Sequence, residues 1–304
     1  MSAKFEANLK KICKTCSENS IKVYMRAAKR LYALKHSSGD IPDSTSWLKS
    51  KDLNEKYQKI ALGKRRHLSL AGHMFAKAFG EVDEYWKTRM FKDSEDYSEE
   101  RKKNKKSTKE TKNWITDALK KLKKVATEYK RTINYKLKQT PSIANLWLYT
   151  QYIILRFYSE IQLRNDLGNV SLKDTGKNNY LKRVKGSKYD LIMREFKASK
   201  KIGDRIIHVS KALSNVLYTY INYRNRVALK HTYMLSNSKG QKLSKSALGK
   251  ALRKITLDKL SKNIGVRMLR IFNASENAKL LQKAEEISHN MLHSAKQSRE
   301  YIRN

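Results

Sequence analysis

The chain has 304 residues, with 67 Lys+Arg against 28 Asp+Glu and a formal net charge of +39. That length corresponds to about two domains of roughly 150 residues each. Its 39% hydrophobic content, with 4 Trp, 17 Tyr and 7 Phe, excludes a wholly disordered chain. No window approaches ~20 apolar residues free of charge, which excludes a membrane-spanning helix. The opening MSAKFEANLKKICKTC lacks the apolar stretch of a secretory signal. Two cysteines without such a signal point to a reducing, intracellular location.

A positive surplus this large destabilises a compact fold by self-repulsion unless a polyanion offsets it. Nucleic acid is the usual partner, because each neutralised phosphate releases counterions. With only 2 Pro and 11 Gly in the whole chain, helices with short connections are expected.

In chain order, residues 20–34 place Ile21, Tyr24, Ala28, Leu31 and Leu34 on one face at helical spacing. A turn cluster follows over 37–42, then Trp47 and Leu48. A short helix over 52–62 is expected to stop at Gly63 as its C-cap. Residues 64–79 turn Leu68, Ala71, Phe75 and Phe79 inward and begin with Lys64, Arg65 and Arg66, read as phosphate contacts. Residues 81–100 hold eight acids against three bases and read as a solvated face, whereas 101–138 hold fifteen bases against three acids. The run 98–113 is almost devoid of apolar residues. Residues 96–113 therefore read as an exposed basic linker, in which Lys102, Lys103, Lys105 and Lys106 are further candidates for phosphate contact. This divides the chain into a helical domain over 1–95 and a second domain over 114–304.

The second domain opens with a helix over 114–138. A nearly all-apolar helix over 142–163 follows, read as buried and as ending at Arg164. Short strands are expected over 179–183, 189–196 and 205–209, with helices over 210–228, 244–256, 265–272, 276–292 and 294–302. The fold class is therefore mainly α (α+β): an all-helical domain, then a mostly helical one with a small antiparallel sheet.

Several chemistries find no support. Cys13-x-x-Cys16 has no second pair or histidines at zinc-binding spacing. His289 and His293 stand four apart without an acidic ligand at the matching offset. There is no Gly-rich phosphate loop, no nucleophile elbow, and no pair of acids placed to hold Mg²⁺. No metal or other cofactor is expected.

What remains is an ordered set of cationic and tyrosyl residues: Arg164 in Ile161-Gln-Leu-Arg-Asn-Asp-Leu167, the lysine-rich hairpin segment Lys197-Ala-Ser-Lys-Lys-Ile-Gly203, Val266-Arg-Met-Leu-Arg270, and Met291-Leu-His-Ser294 with Tyr301 eight residues after His293. Guanidinium forks match the non-bridging oxygens of a pentacoordinate phosphoryl transition state. A tyrosyl phenol, with an ordinary pKa near ~10, acts as a nucleophile only in a cationic pocket with a base nearby.

The order Arg, hairpin Lys, x-x-Leu-Arg, Met-Leu-His-Ser and Tyr resembles the catalytic domain of tyrosine recombinases. In detail it is similar to the integrase-like enzymes of large DNA viruses, virophages and related mobile elements. The resemblance covers 114–304, and it implies that 1–95 is the family's helical core-binding domain, one arm of a C-shaped clamp on double-stranded DNA. It further implies strand cleavage through a 3′-phosphotyrosyl bond to Tyr301, with Arg164, Arg267 and Arg270 on the phosphate and His293 as base or phosphate donor. Lys200 is the favoured general acid and Lys197 the alternative. A homo-tetramer on two DNA sites is also implied, located with DNA in a host nucleus, viral replication site or virion.

Two departures stand out. Arg267 occupies a position where relatives carry His, and Leu292 replaces a common Gly. Only three residues follow Tyr301, so a tail helix exchanged between protomers is not expected. Two other readings stay open: a type IB-like topoisomerase, and a non-catalytic DNA-binding protein with a decayed recombinase fold.

Overall fold

A computed structural model describes residues 3–36, 40–103, 105–136, 141–227 and 230–290. The chain forms two compact units, Met1–Lys106 and Ser107–Asn304.

Unit 1 is entirely helical among its described residues. It comprises α1 (Ala3–Ile12), α2 (Glu18–Tyr32), a 3₁₀ turn (Ser46–Lys49), α3 (Lys51–Gln58), α4 (Leu62–Ala78) and α5 (Glu84–Lys102). Short polar side chains start the helices. Ser17 accepts from the Ser20 N–H, Ser50 from that of Leu53 and Asp83 from that of Trp86, each satisfying a first-turn donor. The core gathers Phe5, Leu31, Trp47, Tyr57, Phe75 and Trp86. Gly72 makes the closest approach possible: a Cβ there would lie 2.6 Å from the Trp86 ring. The Trp86 Nε1–H in turn donates to the Leu48 carbonyl at 3.2 Å. Cys13 and Cys16 are joined as a disulfide between α1 and α2.

Two expectations change here. Gly63 does not cap α3, which ends at Gln58 with Lys59 as its cap. The Lys64 N–H already bonds back to the Ala61 carbonyl, so Gly63 lies in the first turn of α4. Residues 84–102 form one continuous helix that runs past residue 95 into the segment read as a linker. Its apolar content is low, but Asp83 caps it, and Glu84–Lys87 and Glu99–Lys102 pair one turn apart along it.

Unit 2 begins with α6 (Thr108–Lys112), closed by a capping box between Ser107 and Glu110. It continues through α7 (Ala118–Lys136), α8 (Ile143–Glu160), a 3₁₀ turn (Asn165–Asn169), β1 (Tyr180–Val184), β2 (Lys188–Met193), α9 (Ser199–Ile202) and β3 (Arg205–His208). After these come α10 (Lys211–Arg226), α11 (Lys245–Leu260), α12 (Val266–Glu276) and α13 (Ala278–Asn290). The sheet is antiparallel in the order β1-β2-β3, with Leu181 opposite Leu191 and Leu191 opposite Ile207. Mainly α with a small antiparallel sheet is therefore the observed class. The core is built around α8, whose Tyr149, Ile153, Ile154 and Phe157 are buried. The Tyr220 hydroxyl ties α10 to this core through Thr150 and the Met234 carbonyl. The helix expected over 294–302 lies outside the described residues.

Most of the segment read as a linker is thus helix, and the boundary between units falls within it. Residues 107–113 belong to unit 2: the Asn113 side chain accepts from the Asn263 N–H at 2.7 Å, and Lys262 donates to the Lys112 carbonyl at 2.9 Å.

Candidate active site

Arg164 does not end α8. The helix stops at Glu160, Ile161 turns extended, and Arg164 opens the following 3₁₀ turn. Three contacts fix that turn. The buried Tyr158 hydroxyl donates to the Arg164 carbonyl at 2.9 Å. Asp166 receives the Lys245 ammonium from the start of α11 at 2.6 Å. Gly249 of α11 packs on Asn165, where a Cβ would come within 3.2 Å of the side-chain amide. The Arg164 backbone is therefore held from two helices while its side chain stays exposed.

Arg267 and Arg270 stand three apart at the start of α12, on the side opposite the buried Met268, Leu269 and Phe272. That spacing keeps both guanidinia on one face. Gly265 precedes the helix without a side-chain cap, so the first-turn N–H groups and the positive end of the helix dipole have no side-chain acceptor there.

These pieces converge on one cavity of about 300 Å³, lined by Arg164, Asn165, Gly249, Arg253, Gly265, Arg267, Met268 and Arg270, and by Ser107, Lys109 and Glu110 of the α6 turn. Arg164, Arg253 and Arg270 have no carboxylate partner among the described residues. Arg267 does: its Nη2 lies 3.0 Å from Glu110, whose side chain is only 14% exposed against 70% for the arginine. Four guanidinia, one ammonium and one carboxylate around an uncapped helix start make a site suited to a tetrahedral oxyanion.

Sequence reasoning missed Arg253, Lys109 and Glu110. Arg253 had a usable signal, since Gly249 and Arg253 share a face of α11 at a four-residue offset. Lys109 and Glu110 had none, because their segment was read as connector.

The other described candidates do not line this cavity. Lys197 and Lys200 are exposed near and on α9 between β2 and β3, and neither lines the cavity. His293 and Tyr301 lie outside the described residues. In unit 1, Lys64 is exposed, whereas Arg65 is 20% exposed and its Nε bonds the buried Asp93 at 2.9 Å, beside the Tyr57 hydroxyl that donates to the same carboxylate. Arg65 thus serves an internal ion pair. Lys102 pairs with Glu99 at 2.5 Å, and Lys103, Lys105 and Lys106 are exposed. Among the described residues no three His, Cys, Asp or Glu side chains assemble into a metal-binding group, and no helix is long and apolar enough to cross a membrane.

No family model and no curated protein matches the chain. Among solved structures, the crystal structure of XerA recombinase is similar over 99% of this chain and 93% of that one, at 13% identity and a TM-score of 0.40. A TM-score that low does not establish a common fold.

Proposed function

We propose that this chain breaks and rejoins double-stranded DNA as a tyrosine recombinase, through a 3′-phosphotyrosyl bond to Tyr301 and without a metal ion. The observation that carries the reading is the convergence of Arg164, remote in sequence, with the neighbouring Arg267 and Arg270 on one cavity at the uncapped start of α12. These are the cations that the ordered motif set assigns to the scissile phosphate. Tyr301, His293 and the hairpin lysine enter the proposal from the sequence motifs alone. So do the tetramer on two DNA sites, the link to viral or mobile-element integration and the location with DNA.

In the proposed reaction the Tyr301 phenolic oxygen attacks the phosphorus and the bond to the 5′-oxygen breaks. The phenolic proton passes to His293 or to water, because a guanidinium at position 267 does not accept one at neutral pH. Lys200, or Lys197, protonates the departing 5′-oxygen. The arginines hold the non-bridging oxygens as charge builds there. Rejoining is the same sequence reversed.

The test is covalent trapping in EDTA on suicide DNA duplexes taken from the flanks of the native element, comparing wild type with Tyr301→Phe. The expected result is a protein–DNA adduct that the variant lacks. Relaxation of supercoils without exchange between two sites would instead identify a topoisomerase. One observation favours a non-catalytic DNA-binding reading: Glu110 already occupies part of Arg267. That reading requires tight, salt-sensitive duplex binding with no adduct.

A further inference from the structure

Unit 1 carries a second cationic pocket, of about 470 Å³, lined by Arg66, Ser94, Tyr97, Ser98, Arg101 and Lys102. Five of the six residues come from α5. Ser94, Tyr97, Ser98 and Arg101 fall at i, i+3, i+4 and i+7, which puts them on one stripe of that helix. The acids Glu95, Asp96, Glu99 and Glu100 all fall off this stripe. An acid-rich helix therefore presents a stripe of two hydroxyls, a ring and a guanidinium that shares the pocket with Arg66 of α4.

From α4, Arg66 lies over the Tyr97 ring with its guanidinium 4.0 Å from the centroid, a cation–π contact that fixes its position. Gly63, one turn earlier, packs on the edge of the same ring. The Arg66 Nε–H is shielded from water and has no acceptor. The contrast with Arg65 is instructive: that charge is answered by Asp93, whereas neither Arg66 nor Arg101 has a carboxylate partner among the described residues. Lys102 is already answered by Glu99 and adds little.

We infer that this pocket binds one phosphodiester group of a nucleic-acid strand, with Arg66 and Arg101 as the paired cations and the Ser94 and Ser98 hydroxyls as neutral donors. The inference deepens the reading of the chain as DNA-binding and rests on it, but it concerns a site separate from the cavity of unit 2. The same tetrahedral chemistry would accept free phosphate, and the experiment separates the two sources.

The experiment measures duplex affinity of the full chain against salt concentration for wild type, Arg66→Gln, Arg101→Gln, the double variant, and Lys92→Gln on α5 off the stripe. If both arginines hold one phosphate, each single variant weakens binding several-fold, and the double variant lowers the log–log salt slope by about 0.9 rather than twice that. Ser98→Glu, which places a carboxylate in the pocket without removing the Arg66–Tyr97 stack, reproduces the loss. Thermal unfolding of each variant identifies any that fails to fold, and Arg101 and Ser98 are exposed enough to be changed safely. Slopes and affinities no different from Lys92→Gln would overturn the inference. Stabilisation of the wild type alone by inorganic phosphate at matched ionic strength, with duplex slopes unchanged, would overturn the assignment to a strand. Because the readout is non-covalent, failure of strand cleavage through Tyr301 leaves this result intact, and the reverse also holds.

Discussion

At the scale of single residues, the Arg267–Glu110 pair sets a carboxylate among the cations of the cavity. Glu110 is held by two roles at once, accepting from the Ser107 backbone N–H through Oε2 and from Arg267 through Oε1. Glu110→Gln keeps an acceptor for the capping box and removes the charge. Duplex affinity is expected to rise roughly two- to fivefold, the worth of one partly exposed ion pair, as read by fluorescence anisotropy. A fall in affinity would mean that the carboxylate orients Arg267 rather than competing with phosphate. A second residue reports on stability. His231 has its imidazole held below the ordinary value of 6.5, chiefly by burial and then by Arg224, which donates to its Nδ1 and to its carbonyl. The unfolded chain therefore takes up that proton first as pH falls. The stability due to neutral His231 is present above the ordinary value and is lost below it. Tm is expected to drop between about pH 7 and pH 5, and less steeply in His231→Gln; equal slopes would contradict the role given to His231.

At the scale of elements, legibility followed from how each element stabilises itself. The buried α8 and the central strand β2 were readable because their apolar residues are dense. The end of α8 was not, because Ile161 and Leu163 continue the apolar pattern after the backbone has left the helix at Glu160. α5 was missed for the opposite reason: capping and surface ion pairs hold a helix whose buried side chains are only Trp86 and Asp93. The cavity was half legible. Arg164, Arg267 and Arg270 stood out as a motif, whereas the residues of α6 that complete it gave no sign because they sit in a run of solvated charge. The packing of α4 on α5 carries its own prediction. Gly72→Ala forces a Cβ into the Trp86 ring and is expected to cost about 1–3 kcal/mol, the usual range for overpacking. Denaturant unfolding measures this, and a loss below a few tenths would show that Trp86 yields.

At the scale of the whole molecule, the +39 surplus is distributed unevenly. Some cations are answered internally, as Arg65 is by Asp93 and Lys245 by Asp166. Others have no carboxylate partner among the described residues: Arg164, Arg253 and Arg270 in the cavity of unit 2, and Arg66 and Arg101 on the α4–α5 face of unit 1. On the proposed reading the chain binds duplex through many phosphates, and affinity is expected to fall by roughly 10³–10⁵ between 50 and 200 mM salt if six to ten are engaged. Nonetheless, phosphate contacts position a protein on DNA without specifying chemistry, so binding alone does not reach the central claim. The most direct measurement is the identity of the residue bonded to DNA. Adduct formed in EDTA on a suicide duplex would be digested with nuclease and protease, and the nucleotide-bearing peptide sequenced by mass spectrometry. The account predicts a phosphotyrosyl linkage at Tyr301 that disappears in Arg164→Ala and Arg270→Ala. A linkage at any other residue, or no linkage from protein that binds the same duplex tightly, would contradict it.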